Sequence, residues 1–372
     1  MKKIIFSILF LFGICVPSSS LYAQSEVVTS SVQMIEEEHF FRAEVMTIVR
    51  SSKDEMGDDF QDVRIRFQSG DLKGTETEVH VVHTAMQDSQ RLGVGDKVIL
   101  LQNKSPNGQM QFSIVDLYRL PKIIFLALAF FVVVLVVIGK KRGLFSLLGL
   151  CSSIAIIMFF IVPQISSGGS PLFIAGIGSF LIVTLSILLA HGMNRRTLVA
   201  MIGTLITLTF ALFLAILTTK FTRLFGMGSE DAQFLLSSPL GALDLRGILM
   251  AGILIGTLGV LDDVTTSQSA AVDEIHLANK TLGMKELYKR GMSVGKEHII
   301  ALVNTLVLAY AGAALPVLIL LSIYEQPLWV TLSSEMIGEE IVRALAGSVS
   351  LILAVPITTG LAAFIAHIKE NK

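Results

Sequence analysis

Two adjacent aspartates stand directly after an apolar run in the second half of the chain. The segment "RGILMAGILIGTLGVLDD" ends in Asp262 and Asp263. A carboxylate held inside a membrane helix is costly and usually has a task, such as replacing part of the hydration shell of a cation or carrying a proton. At the end of a span, the same carboxylate can instead be hydrated or cap the next helix. The sequence leaves both interpretations open.

Three glycines precede the aspartate pair at helical spacing. Gly252, Gly256, Gly259 and Asp263 lie four, three and four residues apart, which places them on one helical face. Small residues at this spacing allow a neighbouring helix to approach closely. We therefore predict a helix-packing seam that continues into Asp263. Asp262 points about 100° away and is expected to be a cap or a hydrated edge residue.

A second polar stripe follows in "SVGKEHIIALVNTLVLAYAGAALP". Here Glu297 and Asn304 lie on one helical stripe, about two turns apart. An unpaired amide in hydrocarbon is expensive, so Asn304 needs a partner. That partner is either a neighbouring helix, in a packing role, or a solute. We expect Asp263 to face Glu297 or Asn304 across a helix pair, and we take these three residues and Asp262 as candidates for lining a transport path.

These residues belong to a strongly apolar part of the chain. Of its 372 residues, 52% are hydrophobic and 16% are charged, and the mean hydropathy is +0.70, as expected of a membrane protein. Six clearly apolar stretches and one shorter one follow the polar N-terminal part, most of them near the length of about 20 residues that crosses a bilayer as a helix. They are residues 122–139, 144–162, 172–190, 197–218, 246–261, 298–321 and 341–366. The sequence thus predicts a seven-helix membrane bundle over residues 121–366.

The N-terminal part of the chain has a different composition. Residues 1–23 have a Lys pair, an apolar core and a small residue at Ala23, which is typical of a signal peptide cleaved after that alanine. Residues 24–120 are polar, with alternating runs such as "DVRIRFQ" and "ETEVHVV" between turn residues. This pattern predicts a small all-β domain of five or six antiparallel strands.

The distribution of Lys and Arg predicts the orientation of the spans. With the β domain outside the cytoplasm, twelve Lys and Arg fall in the inner segments and five in or beside the outer connections. The C-terminal tail, residues 367–372, and the segment 262–297 are then cytoplasmic. We expect that segment to form two short helices, the second over residues 285–290, with Ser293 capping the sixth span.

Several classes of function find no support in the sequence. It contains no P-loop, GxGxxG, HExxH or GxSxG motif and no Cys-rich metal pattern, so we predict no enzyme, cofactor or metal site, and an intramembrane enzyme ranks third among the hypotheses. The formal net charge of −1 gives no basic surface for nucleic acid.

Three stretches carry a resemblance to a known family. "GVLDDVTTSQSAAVDEI" and "GKEHIIALVNTLVLAYAGAALP" look like the two signature stretches of the YibE/F-like family of bacterial membrane proteins, and "DLYRLPKIIFLALAF" is also similar to that family. The resemblance covers about residues 113–366. It implies a multispan protein with an extracytoplasmic N-terminal domain, sometimes described as transporter-like. The family has no accepted catalytic or binding residues, so the resemblance assigns no role to Asp262 or Asn304.

Two hypotheses of different classes follow. The first is a permease or transporter-like protein of the cell membrane, whose partners are the lipid bilayer and an ion or small solute. The alternative is a membrane-anchored scaffold whose β domain binds an envelope protein. The sequence does not determine the oligomeric state, and an oligomer is compatible with either hypothesis.

Overall fold

The computed structural model describes residues 39–53, 59–83, 91–104, 110–237, 243–323 and 327–370. The predicted signal peptide, residues 1–23, lies outside the described residues. The chain divides into two compact units, Met1–Phe125 and Leu126–Lys372, which are described separately below.

The first unit is an antiparallel sheet of five strands. In sheet order these are β3, β2, β1, β4 and β5, and β3 also approaches β5, so that the sheet curls into a half-barrel. The strands are β1 His39–Lys53, β2 Asp59–Phe67, β3 Glu76–His83, β4 Lys97–Lys104 and β5 Met110–Leu117. This confirms the predicted all-β domain.

Alternation of apolar and polar side chains separates the two faces of this sheet. Val45, Val63, Ile65 and Leu100 point inward and are fully buried. On the other face, Arg64 pairs with Glu78 across β2 and β3 at 2.7 Å. The strand pattern seen in the sequence is therefore the pattern of a sheet with one buried face.

The second unit is helical, and seven of the helices in the described residues are long and apolar enough to cross a membrane, which confirms the predicted fold class. The helices are α1 Leu120–Ile138, α2 Lys140–Ile156, α3 Val162–Ser166, α4 Pro171–His191, α5 Arg195–Phe221, α6 Glu230–Ser237, α7 Leu245–Ala278, α8 Met284–Ala313, α9 Leu315–Ile323, α10 Leu328–Ser333 and α11 Glu335–Glu370. A π-helical turn, Ile157–Ile161, joins α2 to α3 and completes the second span.

Helices α5, α7 and α11 form the centre of the bundle, and α4 and α8 pack around them. Leu254 and Leu261 of α7, Ala211 of α5, Leu351 of α11 and Val183 of α4 are all at most 1% exposed. Between helices in a bilayer, such contacts stabilise through close packing rather than through exclusion of water. By contrast, none of the residues 120–137 of α1 is buried among the other described residues.

The segment 262–297 differs from the expected pair of short helices. Helix α7 continues through the aspartate pair to Ala278, and α8 begins at Met284 after Gly283, so residues 285–290 are its first turns and Ser293 lies inside it. Hydropathy ended the fifth span too early because the polar side chains of Thr265, Gln268 and Ser269 are buried. With 34 residues, α7 is about 51 Å long, which exceeds the hydrocarbon thickness of about 30 Å.

Candidate functional site

A groove that carries several polar side chains in a mainly apolar wall runs beside the middle of α7. Its larger part has a volume of about 880 Å³ and is lined from α2, α4, α5, α7 and α8. An adjoining part of about 400 Å³ reaches Asp262 and shares Ser146, His191, Asp263 and Thr266 with the first. We call the two parts together the polar groove. It gathers carboxylates and hydroxyls of α7 with imidazoles of α4 and α8, beside a helix long enough to span a membrane.

Asp262 is the more enclosed of the two aspartates. Its Oδ2 accepts a hydrogen bond of 3.1 Å from the Ser186 hydroxyl of α4, and its Oδ1 is buried without a hydrogen-bond partner in the described residues. Asp263 is exposed on the groove wall, and its carboxylate makes no hydrogen bond or ion pair with another described residue. The expected order of burial was therefore wrong, because α4 packs beside Asp262 rather than on the glycine face.

Among the described residues of this chain, no helix packs on the predicted glycine seam. Gly252, Gly256 and Gly259 are exposed, and a Cβ atom added at Gly252 or Gly259 would meet nothing within 4 Å. At Gly256 the added atom would meet only the Tyr310 hydroxyl, at 3.3 Å. The spacing of the glycines was compatible with close packing, but it could not show that a neighbour is present.

Close helix packing occurs at other glycines. A Cβ atom at Gly295 would lie 2.3 Å from Val355 Cγ1, and one at Gly203 would lie 2.6 Å from Thr358 Oγ1. Both glycines let a neighbouring helix approach α11.

A buried polar network adjoins the aspartates along α7. Gln268 donates from Nε2 to the Gly291 carbonyl at 2.9 Å and to the Thr359 hydroxyl at 2.7 Å, linking α7 to α8 and α11. Thr265 shares a hydrogen bond of 2.6 Å with Thr204 of α5. Such fully paired groups fix one arrangement of the helices.

Sequence reasoning missed Ser186, Thr204, Thr265 and Gln268. A signal was present in "DDVTTSQSAAV", where Thr265, Gln268 and Val272 follow one another at three- and four-residue spacing. That is the pattern of a buried helical face that carries polar side chains.

The positive charge of the arginine in the groove is balanced by neighbouring carboxylates. Arg196, near the start of α5, pairs with Asp273 and with Glu274 of α7, the latter at 2.8 Å. Since both partners are carboxylates, this cluster leaves no excess positive charge beside the groove. The negative charge of Asp263 is therefore not cancelled by Arg196.

Glu297 and Asn304 are not brought to Asp263. Both are exposed on α8, and neither is among the residues that line the groove. The side chains of this helix that do reach the groove are His298 and Leu302. The structure thus assembles Asp262 and Asp263 with His191 and His298 instead of with the predicted stripe.

A known protein family matches the part of the chain that contains the groove. The model of the family described as "YibE/F-like protein" matches residues 127–368, which include every helix that lines the groove. No curated protein and no solved structure matches the chain. Because the match covers more than half of its 372 residues, the chain belongs to the YibE/F-like family.

Proposed function

We propose that this membrane protein is a permease for an ion or small solute and that the polar groove forms part of the path. The observation that carries the proposal is the placement of Asp262 and Asp263 in a groove along a candidate membrane span. Ionisable groups held within a bundle are expensive and commonly mark ion or substrate paths.

The chemistry of the groove suits a cation or a proton carrier. Carboxylate and hydroxyl oxygens can replace part of the hydration shell of a hard cation. Asp262, Asp263, Ser186 and Thr266 supply such oxygens along adjoining turns of α7 and α4. The Oδ1 atom of Asp262 is a buried acceptor that has no protein donor within the described residues.

The proposed orientation rests on the distribution of positive charge. Twelve Lys and Arg in the inner segments against five outside favour a cytoplasmic C-terminus and a β domain outside the cytoplasm. The groove then opens in the cytoplasmic half of the bundle, because two residues that line it, His191 and Arg196, lie at the inner ends of α4 and α5. A path through the protein would continue outward from Asp262.

Flux measurements on purified protein in liposomes test the proposal. Proton flux and the flux of several monovalent cations would be followed for the wild type, Asp262→Asn, Asp263→Asn and the control Glu297→Gln, which is outside the groove. Removing a charged ligand should lower flux by about tenfold or more, since such contacts contribute about 1.5–3 kcal/mol. The control should retain wild-type flux.

Two outcomes would contradict this proposal. Wild-type flux equal to that of empty liposomes for every solute tested would contradict a permease function. Equal flux in wild type, Asp262→Asn and Asp263→Asn would show that the groove is not the path, even if the protein transports a solute.

The alternative proposal is a scaffold whose β unit binds an envelope protein. In its favour, Phe40, Val49 and Val94 of that unit are 56%, 51% and 67% exposed. Exposed apolar side chains of this size are common at protein interaction sites. Deleting residues 24–118 should abolish the cellular phenotype of a scaffold, whereas a permease should retain flux in liposomes.

A further inference from the structure

Asn304 presents an unpaired amide on the outside of the helical bundle. It is exposed on α8, within the apolar part of a candidate membrane span, and makes no hydrogen bond to another described residue. Neighbouring Thr305 is also exposed, but its hydroxyl donates to the Ala301 carbonyl of its own helix. Of the two adjacent polar side chains, only the amide is left to face hydrocarbon, where an unpaired polar group is expensive.

The direction of the amide follows from the buried side of α8. Gly291, Gly295 and Leu306 are buried against the bundle, and Leu302 packs against the core. At about 100° per residue, Asn304 lies about 200° around the helix from Leu302 and so faces away from the bundle. A partner for the amide must therefore come from outside this bundle.

Helix α1, which does not pack against the bundle, cannot supply that partner. None of its residues 120–137 is buried among the described residues, and its sequence from Ile123 to Ile138 contains no polar side chain. Its side chains thus offer neither a hydrogen-bond donor nor an acceptor. Lipid tails offer neither as well.

A second copy of this chain fits the amide. An Asn side chain carries both donors and an acceptor, so two of them related by a two-fold axis can form reciprocal hydrogen bonds. Ala301 and Ala311 stand one turn before and two turns after Asn304, and both are exposed and small enough for another helix to approach closely. Glu297 lies about two turns towards the helix start, beside the exposed Lys296 and His298, where hydration of its charge is expected.

We propose that two copies of this chain associate by packing α8 against α8 through Asn304. This interface does not depend on the proposed transport function. It gives the amide a task in assembly rather than in a solute path.

Cysteine cross-linking in native membranes tests the interface with Asn304 in place. Cys15 and Cys151 are first replaced by Ser, and Ile300→Cys is introduced on the same outward face, one turn before Asn304, at a position that is 68% exposed. Phe180→Cys on α4, where Phe180 is 52% exposed, is the matched control. Oxidation should give a product of twice the chain mass for Ile300→Cys and not for Phe180→Cys.

The contribution of the amide is read from the same product. Adding Asn304→Val to Ile300→Cys should lower the yield by at least about threefold, whereas Asn304→Gln should retain part of it. Equal yields from Ile300→Cys and Phe180→Cys would overturn the interface. A product with another membrane protein would overturn the second copy as the partner, and an unchanged yield with Asn304→Val would overturn the role of the amide.

Discussion

The partly buried carboxylate of Asp262 receives one side-chain hydrogen bond among the described residues, from Ser186. Its second oxygen is already without a partner. A carboxylate in such a place is held by the neighbouring helix rather than by its own. At the scale of residues, the contact between α4 and α7 is therefore sensitive to the loss of a single side chain.

We expect Ser186→Ala to lower the free energy of unfolding by about 1–2 kcal/mol, because it removes the side-chain donor to the second oxygen of a partly buried carboxylate. Unfolding by titration with a denaturing detergent measures the change. Thr184→Ala is the matched control, since the Thr184 hydroxyl is exposed and donates only to the Phe180 carbonyl of its own helix. Equal losses for the two variants would contradict the importance of the Ser186 contact.

Gln268 joins three helices through one side chain. We expect Gln268→Ala to lower the free energy of unfolding by about 2–4 kcal/mol. The substitution removes two hydrogen bonds, so that Thr359 and the Gly291 carbonyl lose this donor, and it opens a cavity. Ser267→Ala, at the exposed neighbouring position, should change stability by less than about 0.5 kcal/mol. A Gln268→Ala variant as stable as Ser267→Ala would show that the network does not hold the helices together.

At the scale of elements, α7 shows two faces with opposite roles. The face that carries Leu254, Leu261, Thr265 and Gln268 is buried in the bundle, while the glycine face is open. Close approach of helices instead depends on Gly291 and Gly295 of α8. Glycine spacing alone did not distinguish these two situations, since both helices carry glycines four residues apart or at nearly that spacing.

A pair of Gly→Ala substitutions separates the two faces. Gly295→Ala should destabilise by about 1–3 kcal/mol, because its Cβ atom would overlap Val355 and approach Gln268 at 3.0 Å. Gly252→Ala should be neutral or stabilise by up to about 1 kcal/mol, because nothing lies within 4 Å and Ala is the better helix former. The two unfolding free energies, measured in the same detergent, check this. A larger loss for Gly252→Ala would show that a partner covers the glycine face.

At the scale of the whole molecule, the proposed orientation has a direct test. The exposed residues Thr222, after α5, and Thr281, between α7 and α8, follow successive long spans at opposite ends. In a background without other cysteines, Thr222→Cys should react with a membrane-impermeant maleimide in cells whose inner membrane is intact. Thr281→Cys should react only after that membrane is permeabilised. The reverse pattern would invert the orientation.

The sequence by itself determined the number of long apolar helices and the existence of the β domain. Hydropathy and two-residue alternation are local properties, so they can be recognised before any partner is known. It did not determine where α7 ends, because the burial of Thr265 and Gln268 depends on helices that are distant in the sequence.

Only the tertiary structure decided the roles of the aspartate pair and of Asn304. Asp262 and Asp263 are about 100° apart on one helix, so the side on which α4 packs decides which of them is enclosed. Likewise, the outward direction of Asn304 follows from the side of α8 that faces the core. A helical stripe shows which residues share a face, but the neighbouring helices decide whether that face meets protein, groove or lipid.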